Sequence, residues 1–168
     1  GACFTNSKSI AKKLSELRVH GQRKKYDYSR VGVNARLDTI QASILLEKLK
    51  FFKVEIKLRN KVAKNYNKLI SLSKKKIVLP YIENINESVY AQYSILVNNR
   101  SKIIKNLKKK KIPFAIYYPH PIYFYRPYKK YKSSFPVCED VCKKILSLPM
   151  HPYLEKKDQK YIIDNIIN

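Results

Sequence analysis

Glycine is almost missing from this chain, with three in 168 residues, at positions 1, 21 and 32. Phosphate cradles built of glycine backbone are therefore excluded, and no GxGxxG, P-loop or GxSxG pattern occurs. Tryptophan is absent, and arginine, the usual base-reading residue, supplies only 7 of the 36 basic residues. No window approaches the roughly 20 uncharged apolar residues of a spanning helix, so no membrane segment is expected. The three cysteines, Cys3, Cys138 and Cys142, form no disulfide framework, which favours a reduced, cytosolic setting. Cys138 and Cys142 stand four apart on an expected helix and read as packing residues rather than zinc ligands, having no nearby His or Cys partners. The opening GACFTNSKS has neither a basic n-region nor an apolar h-region, so no signal peptide is expected. Lacking an initiator Met, it reads as the start of a fragment, in mid-strand.

What is present is lysine. The formal net charge is +24, with 36 basic against 12 acidic residues. Such a balance attracts phosphate polymers and anionic surfaces. The lysines are nevertheless scattered along the chain, alongside abundant Ile, Asn and Tyr, a joint bias expected of an AT-rich genome. A solvated lysine coat is the reading, without a specific nucleic-acid footprint; an anionic sugar nucleotide is compatible with it. With 45% apolar residues the chain has ample material for a folded core.

In order along the chain, Gly1 to Thr5 reads as a strand end, and Asn6 or Ser7 caps a helix carrying Ile10, Leu14 and Leu17, stopped at Gly21. Residues 22 to 36 have no helical period and read as a long loop. From Asp38, apolar residues Leu45, Leu49, Phe52, Ile56, Ala63, Tyr66 and Ile70 recur at threes and fours. A helix over 38–70 would run ~50 Å, so it either links two domains or bends. Strands are expected at Ile77–Tyr81, Val89–Val97 and Phe114–Tyr118, with a helix capped by Ser101 and ended by Lys108–Lys111. A Pro/Tyr-rich stretch excludes a regular helix over 117–136. Helices around Val137–Leu146 and from about Glu155 to Ile167 close the chain. Strand, helix and strand in this order predict an α/β layer.

No catalytic constellation is complete. His20, His120 and His151 lie far apart without acidic or thiol partners at ligand spacing. Asn34 and Arg36, in VGVNARLDTIQASILLEKL, place an amide and a guanidinium just ahead of an apolar helix, which suits an anion. Taken alone they read equally as a turn Asn and a surface Arg, and the Pro/Tyr stretch as aromatic packing.

Five segments in order change that weighting. VGVNARLDTIQASILLEKL and GACFTNSKSIAKKLSELRVHGQ resemble DegT/DnrJ/StrS-type sugar aminotransferases around the stretch following the active-site lysine. VYAQYSILV, IPFAIYYPHPI and ILSLPMHPYL are similar to later segments of the same family. The nearest branch aminates the 3-keto sugar of a UDP-2-acetamido-hexuronate for surface polysaccharide. The resemblance implies the C-terminal portion of the type I pyridoxal 5′-phosphate fold. Residues 1–49 would end the large domain and begin the connecting helix, and 50–168 would form the small domain. It further implies a cytosolic homodimer, glutamate as amino donor and a UDP-sugar substrate, with no membrane and no specific nucleic acid as partners.

By the same resemblance, Asn34 corresponds to an asparagine reaching the cofactor phosphate of the neighbouring subunit. Arg36 corresponds to an arginine on the acidic sugar nucleotide, and Tyr117 and Tyr118 to an aromatic pair at the substrate pocket. Tyr123 stands where relatives carry a histidine. The Schiff-base lysine falls upstream of Gly1, so no catalytic residue is assigned within the chain, and these residues are expected to be inactive alone. A dehydratase of the same family, or a basic non-enzymatic nucleic-acid module, remain the alternatives at this point.

Overall fold

Ser7 opens the first helix, α1 (Lys8–Leu17), its Oγ accepting a hydrogen bond from the Ile10 N–H at 3.4 Å. The computed structural model describes residues 1–167. The helix stops where Gly21 takes a left-handed φ of +78° and its N–H returns to the Glu16 carbonyl at 2.9 Å. Residues 1–5 are not the expected strand; they are exposed and unpaired, and a strand exists only where a neighbour completes its hydrogen bonds. The expected loop over 22–36 contains a small hairpin instead, β1 (Gln22–Lys24) against β2 (Asp27–Tyr28). Its signal is a turn with Tyr26 at φ +63° rather than an alternation of side chains.

Asp38 then starts the long helix α2 (Thr39–Ser71), its Oδ1 accepting from the Gln41 N–H at 2.9 Å. The helix is continuous over its 33 residues, and the chain divides at Lys50/Phe51 into two compact units. The apolar period has two fates. Val62, Ala63, Tyr66 and Ile70 are buried, whereas Leu45, Leu49 and Phe52 stay about half exposed or more.

In the second unit a three-stranded antiparallel sheet has the order β3 (Ile77–Val78), β4 (Tyr93–Val97), β5 (Ile145–Leu148). Tyr93, Ile95 and Val97 alternate inward and pack with the buried residues of α2, with Leu107 of α3 (Arg100–Lys109) and with Ile162, Ile163 and Ile166 of α5 (Lys156–Ile167). β3 and β4 are both shorter than periodicity suggests. β3 ends before Pro80, which has no N–H to give a ladder. Residues 89–92 lie outside β4 because Tyr90 turns at φ +42°, held where Arg59 donates to its carbonyl at 3.1 Å.

Three expectations are corrected. α3 begins after Asn99, not Ser101, which lies inside the first turn. Phe114–Tyr118 makes only a bridge from Ala115 to Ser147, since Tyr118 at φ +59° followed by proline breaks the extended run. The helix placed over Val137–Leu146 ends sooner: α4 is Pro136–Lys144, and ILSL becomes β5. A four-residue apolar run is ambiguous by itself, and pairing with β4 from Tyr93↔Leu148 to Leu96↔Ile145 decides it. Among the described residues no helix is long and apolar enough to cross a membrane, and no group of three acidic, His or Cys side chains could hold a metal.

Candidate functional site

The loop carrying Asn34 is built by backbone contact so close that side chains are excluded. Residues 29–35 lie along the end of α1: Val33 N–H donates to the Leu17 carbonyl (2.8 Å), Ala35 N–H to Arg18 (2.9 Å), and His20 N–H to Val33 (3.0 Å). A Cβ on Gly32 would lie 2.1 Å from the Gly21 nitrogen, and one on Gly21 would lie 1.7 Å from the Arg30 carbonyl oxygen. Two of the chain's three glycines thus meet at one point.

An ion pair locks the same loop. Glu16, only 5% exposed, accepts from Arg30 Nε at 2.8 Å and from Ser29 Oγ at 3.1 Å, and Arg30 NH2 closes a second contact at 2.7 Å. Burial pushes the Glu16 carboxyl up, but the Ser29 hydroxyl and the Arg30 guanidinium outweigh it and hold the group below its ordinary 4.5. A depressed folded-state value means stability is present above pH 4.5 and lost as pH falls through that lower value. Acid titration followed by NMR should therefore release residues 29–36 below about pH 4.5. Glu16→Gln should flatten that response, and an unchanged titration in the variant would remove Glu16 from this role.

At the loop's end, Arg36 Nε donates to Asn34 Oδ1 at 3.2 Å, and both side chains are exposed. This bond uses the amide's acceptor and one guanidinium donor. It leaves the Asn34 NH₂ and the terminal nitrogens of Arg36 facing outward, a set of donors only. Such a set fits an anionic oxygen, phosphate or carboxylate. Neither Asn34 nor Arg36 enters an ion pair among the described residues.

Tyr117 and Tyr118 belong to the second unit. Both border an apolar recess of about 610 Å³ with Phe135, Val141 and Cys142, and Tyr117 also borders one of about 270 Å³ beside Gln92, Ser147 and Met150. Tyr118 is strongly exposed and holds a left-handed φ of +59°, a conformation costing a bulky residue about 1–2 kcal/mol. Tyr123 stacks on Phe135 and donates to Glu139 at 2.5 Å, pinning the Pro/Tyr segment to α4. The hydrogen bond to Glu139, with burial, raises the Tyr123 hydroxyl to about 12, and the same bond holds Glu139 below the usual carboxylate range. His20, His120 and His151 are exposed.

Sequence reasoning missed Glu16, Ser29 and Arg30. Their partners lie 13 and 14 residues away, beyond any local period. The glycines carried a usable signal, since a chain so poor in glycine spends two around one loop.

Over 168 residues the chain is 42% identical to UDP-2-acetamido-2-deoxy-3-oxo-D-glucuronate aminotransferase of Pseudomonas aeruginosa, covering 100% of this chain and 46% of that protein. The structure superposes on a DegT/DnrJ/EryC1/StrS aminotransferase from Brucella abortus with a TM-score of 0.87 and 40% identity, over 97% of this chain and 44% of the other. It shares its fold with NtdA of Bacillus subtilis, solved with bound cofactor PMP, at a TM-score of 0.81 and 24% identity, over 97% and 40% of the two chains. The chain spans about half the length of the curated relatives it matches. The fold is the C-terminal portion of the type I pyridoxal-phosphate transferase fold, a small α/β domain with the end of the large one. Residues 1–167 match the DegT/DnrJ/EryC1/StrS aminotransferase family, and the chain belongs to it.

Proposed function

We propose that these residues form the C-terminal part of a pyridoxal 5′-phosphate-dependent sugar aminotransferase. It moves the amino group of glutamate to the 3-keto carbon of a UDP-2-acetamido-2-deoxy-hexuronate destined for surface polysaccharide. The observation that carries this reading is 42% identity along the whole chain with an aminotransferase whose name states such a substrate. Residues 1–49 end the large domain and enter the connecting helix, and residues 50–168 form the small domain.

The outward donors at Asn34 and Arg36 support the site assignment. Asn34 would hold a cofactor phosphate oxygen in the neighbouring subunit, and bound pyridoxal phosphate supplies the electron sink for amino transfer. With Nε committed to Asn34, Arg36 offers its two terminal nitrogens as a planar fork, the geometry that grips a carboxylate. The phenols of Tyr117 and Tyr118 present an apolar face and a polar tip to the sugar. The homodimer has its support in α2, where Ile40, Ile44, Leu46 and Leu49 stand more than half exposed, an apolar surface that a second copy would cover. The cytosol is the proposed compartment, where nucleotide sugars and a free thiol such as Cys3 are at home.

Arg36→Ala should weaken binding of UDP-N-acetylglucosaminuronate about 10- to 100-fold, the worth of hydrogen bonds to a charged group. Binding of the neutral UDP-N-acetylglucosamine should change little. Equal losses for both sugars, measured by calorimetry, would take the carboxylate away from Arg36. Residues 1–168 by themselves should not transaminate, because the family resemblance puts the covalent lysine outside them. Assay of the purified chain with pyridoxal phosphate, glutamate and the keto sugar nucleotide checks this, and turnover would refute it.

A further inference from the structure

We propose that the second unit carries a binding site for a phosphorylated sugar in the recess bounded by β3, the start of α3 and the end of α5. The recess has a volume of about 520 Å³, within the ordinary range of small-molecule sites. Lys75, Lys76 and Lys102 line it and no acidic residue does. None of the three enters an ion pair among the described residues.

Amides supply the second half of the chemistry. Asn98, Asn99 and Asn106 also line the recess. Asn106 Nδ2 donates to the Asn165 carbonyl at 2.7 Å, which fixes the amide plane and leaves its oxygen as an acceptor. Asn99 immediately precedes α3, and its side chain makes no capping bond and no other hydrogen bond among the described residues. Groups that both donate and accept suit hydroxyls, whereas a bare phosphate would use only the donors. Ile77, Val97, Ile103 and Ile166 complete the lining with an apolar surface for the C–H face of a pyranose ring.

The lining also discriminates against nucleotides. The chain has 14 tyrosines and 6 phenylalanines, and none lines this recess, so no ring is offered for a base to stack on. A sugar with one phosphate uses the ammoniums, the amides and the apolar wall together.

Calorimetry on the full chain with glucose 6-phosphate, glucose and inorganic phosphate tests the assignment. Glucose 6-phosphate should bind at least 10-fold more tightly than either other ligand. Paired substitution Lys76→Ala with Lys102→Ala should weaken it about 10-fold or more, while Lys57→Ala with Lys61→Ala on α2, an equal change in charge, should not. Asn106→Leu should reduce affinity for glucose 6-phosphate and leave that for phosphate unchanged. Phosphate binding as tightly as glucose 6-phosphate would overturn the proposal, as would equal effects of the two lysine pairs. No binding of glucose 6-phosphate at millimolar concentration to the unaltered chain would overturn it without recourse to any variant.

Discussion

Gly32→Ala is expected to dismantle the loop that presents Asn34 and Arg36. The added methyl would meet the Gly21 nitrogen at 2.1 Å and the Leu17 carbonyl oxygen at 2.6 Å, both backbone atoms that no side-chain rotation can clear. Relief requires residues 29–35 to leave the end of α1, breaking the bonds from Val33 to Leu17 and from Ala35 to Arg18. The cost is about 3 kcal/mol, the upper part of the range for overpacking a close contact. Gly21→Ala should do at least as much, because its methyl would lie 1.7 Å from the Arg30 oxygen and its φ of +78° also disfavours a side chain. Hydrogen exchange at the Val33 and Ala35 amides gives the readout. Protection in Gly32→Ala equal to that of the unaltered chain would show that the contact is not what holds the loop.

Tyr66→Ala should destabilise the second unit by about 3–5 kcal/mol, as for other buried aromatic truncations. Tyr66 is wholly buried, its ring centroid lies 5.0 Å from that of Tyr93, and its hydroxyl donates to the Pro149 carbonyl at 3.0 Å. Truncation leaves a cavity at the centre of the core and an unpaired carbonyl at its edge. Tyr66→Phe keeps the ring and should cost about 1 kcal/mol, the net worth of one hydrogen bond. Denaturant titration separates the two, and similar losses in both variants would assign the stability to the hydroxyl instead of the ring. Burial also raises the Tyr66 and Tyr93 hydroxyls well above their ordinary 10, so this core should lose stability as pH climbs above about 10, where the unfolded chain ionises first.

The parts legible in the sequence are those set by short-range rules. Ser7, one of two candidate caps, caps α1, Gly21 stops it, and the period of threes and fours marks α2. Each of these depends on atoms within about one helical turn. β5 was illegible because Ile145–Leu148 takes its extended form from β4, some 50 residues earlier in the chain, and not from its own pattern. The length of β4 was hidden for a related reason, since Tyr90 is turned by Arg59 from another element.

The same division runs through the site. The sequence by itself determined which groups are the candidates: an amide and a guanidinium two residues apart before an apolar helix, and a tyrosine pair before proline. Residue type and spacing decide what a group can donate or accept. Only the tertiary structure decided how those groups are held and aimed. Glu16 closes on Arg30, Gly21 meets Gly32, and Arg36 donates to Asn34. These contacts join segments distant in the chain or depend on backbone approach, and hydrogen bonding and steric exclusion act through space, so they emerge only once the chain has folded.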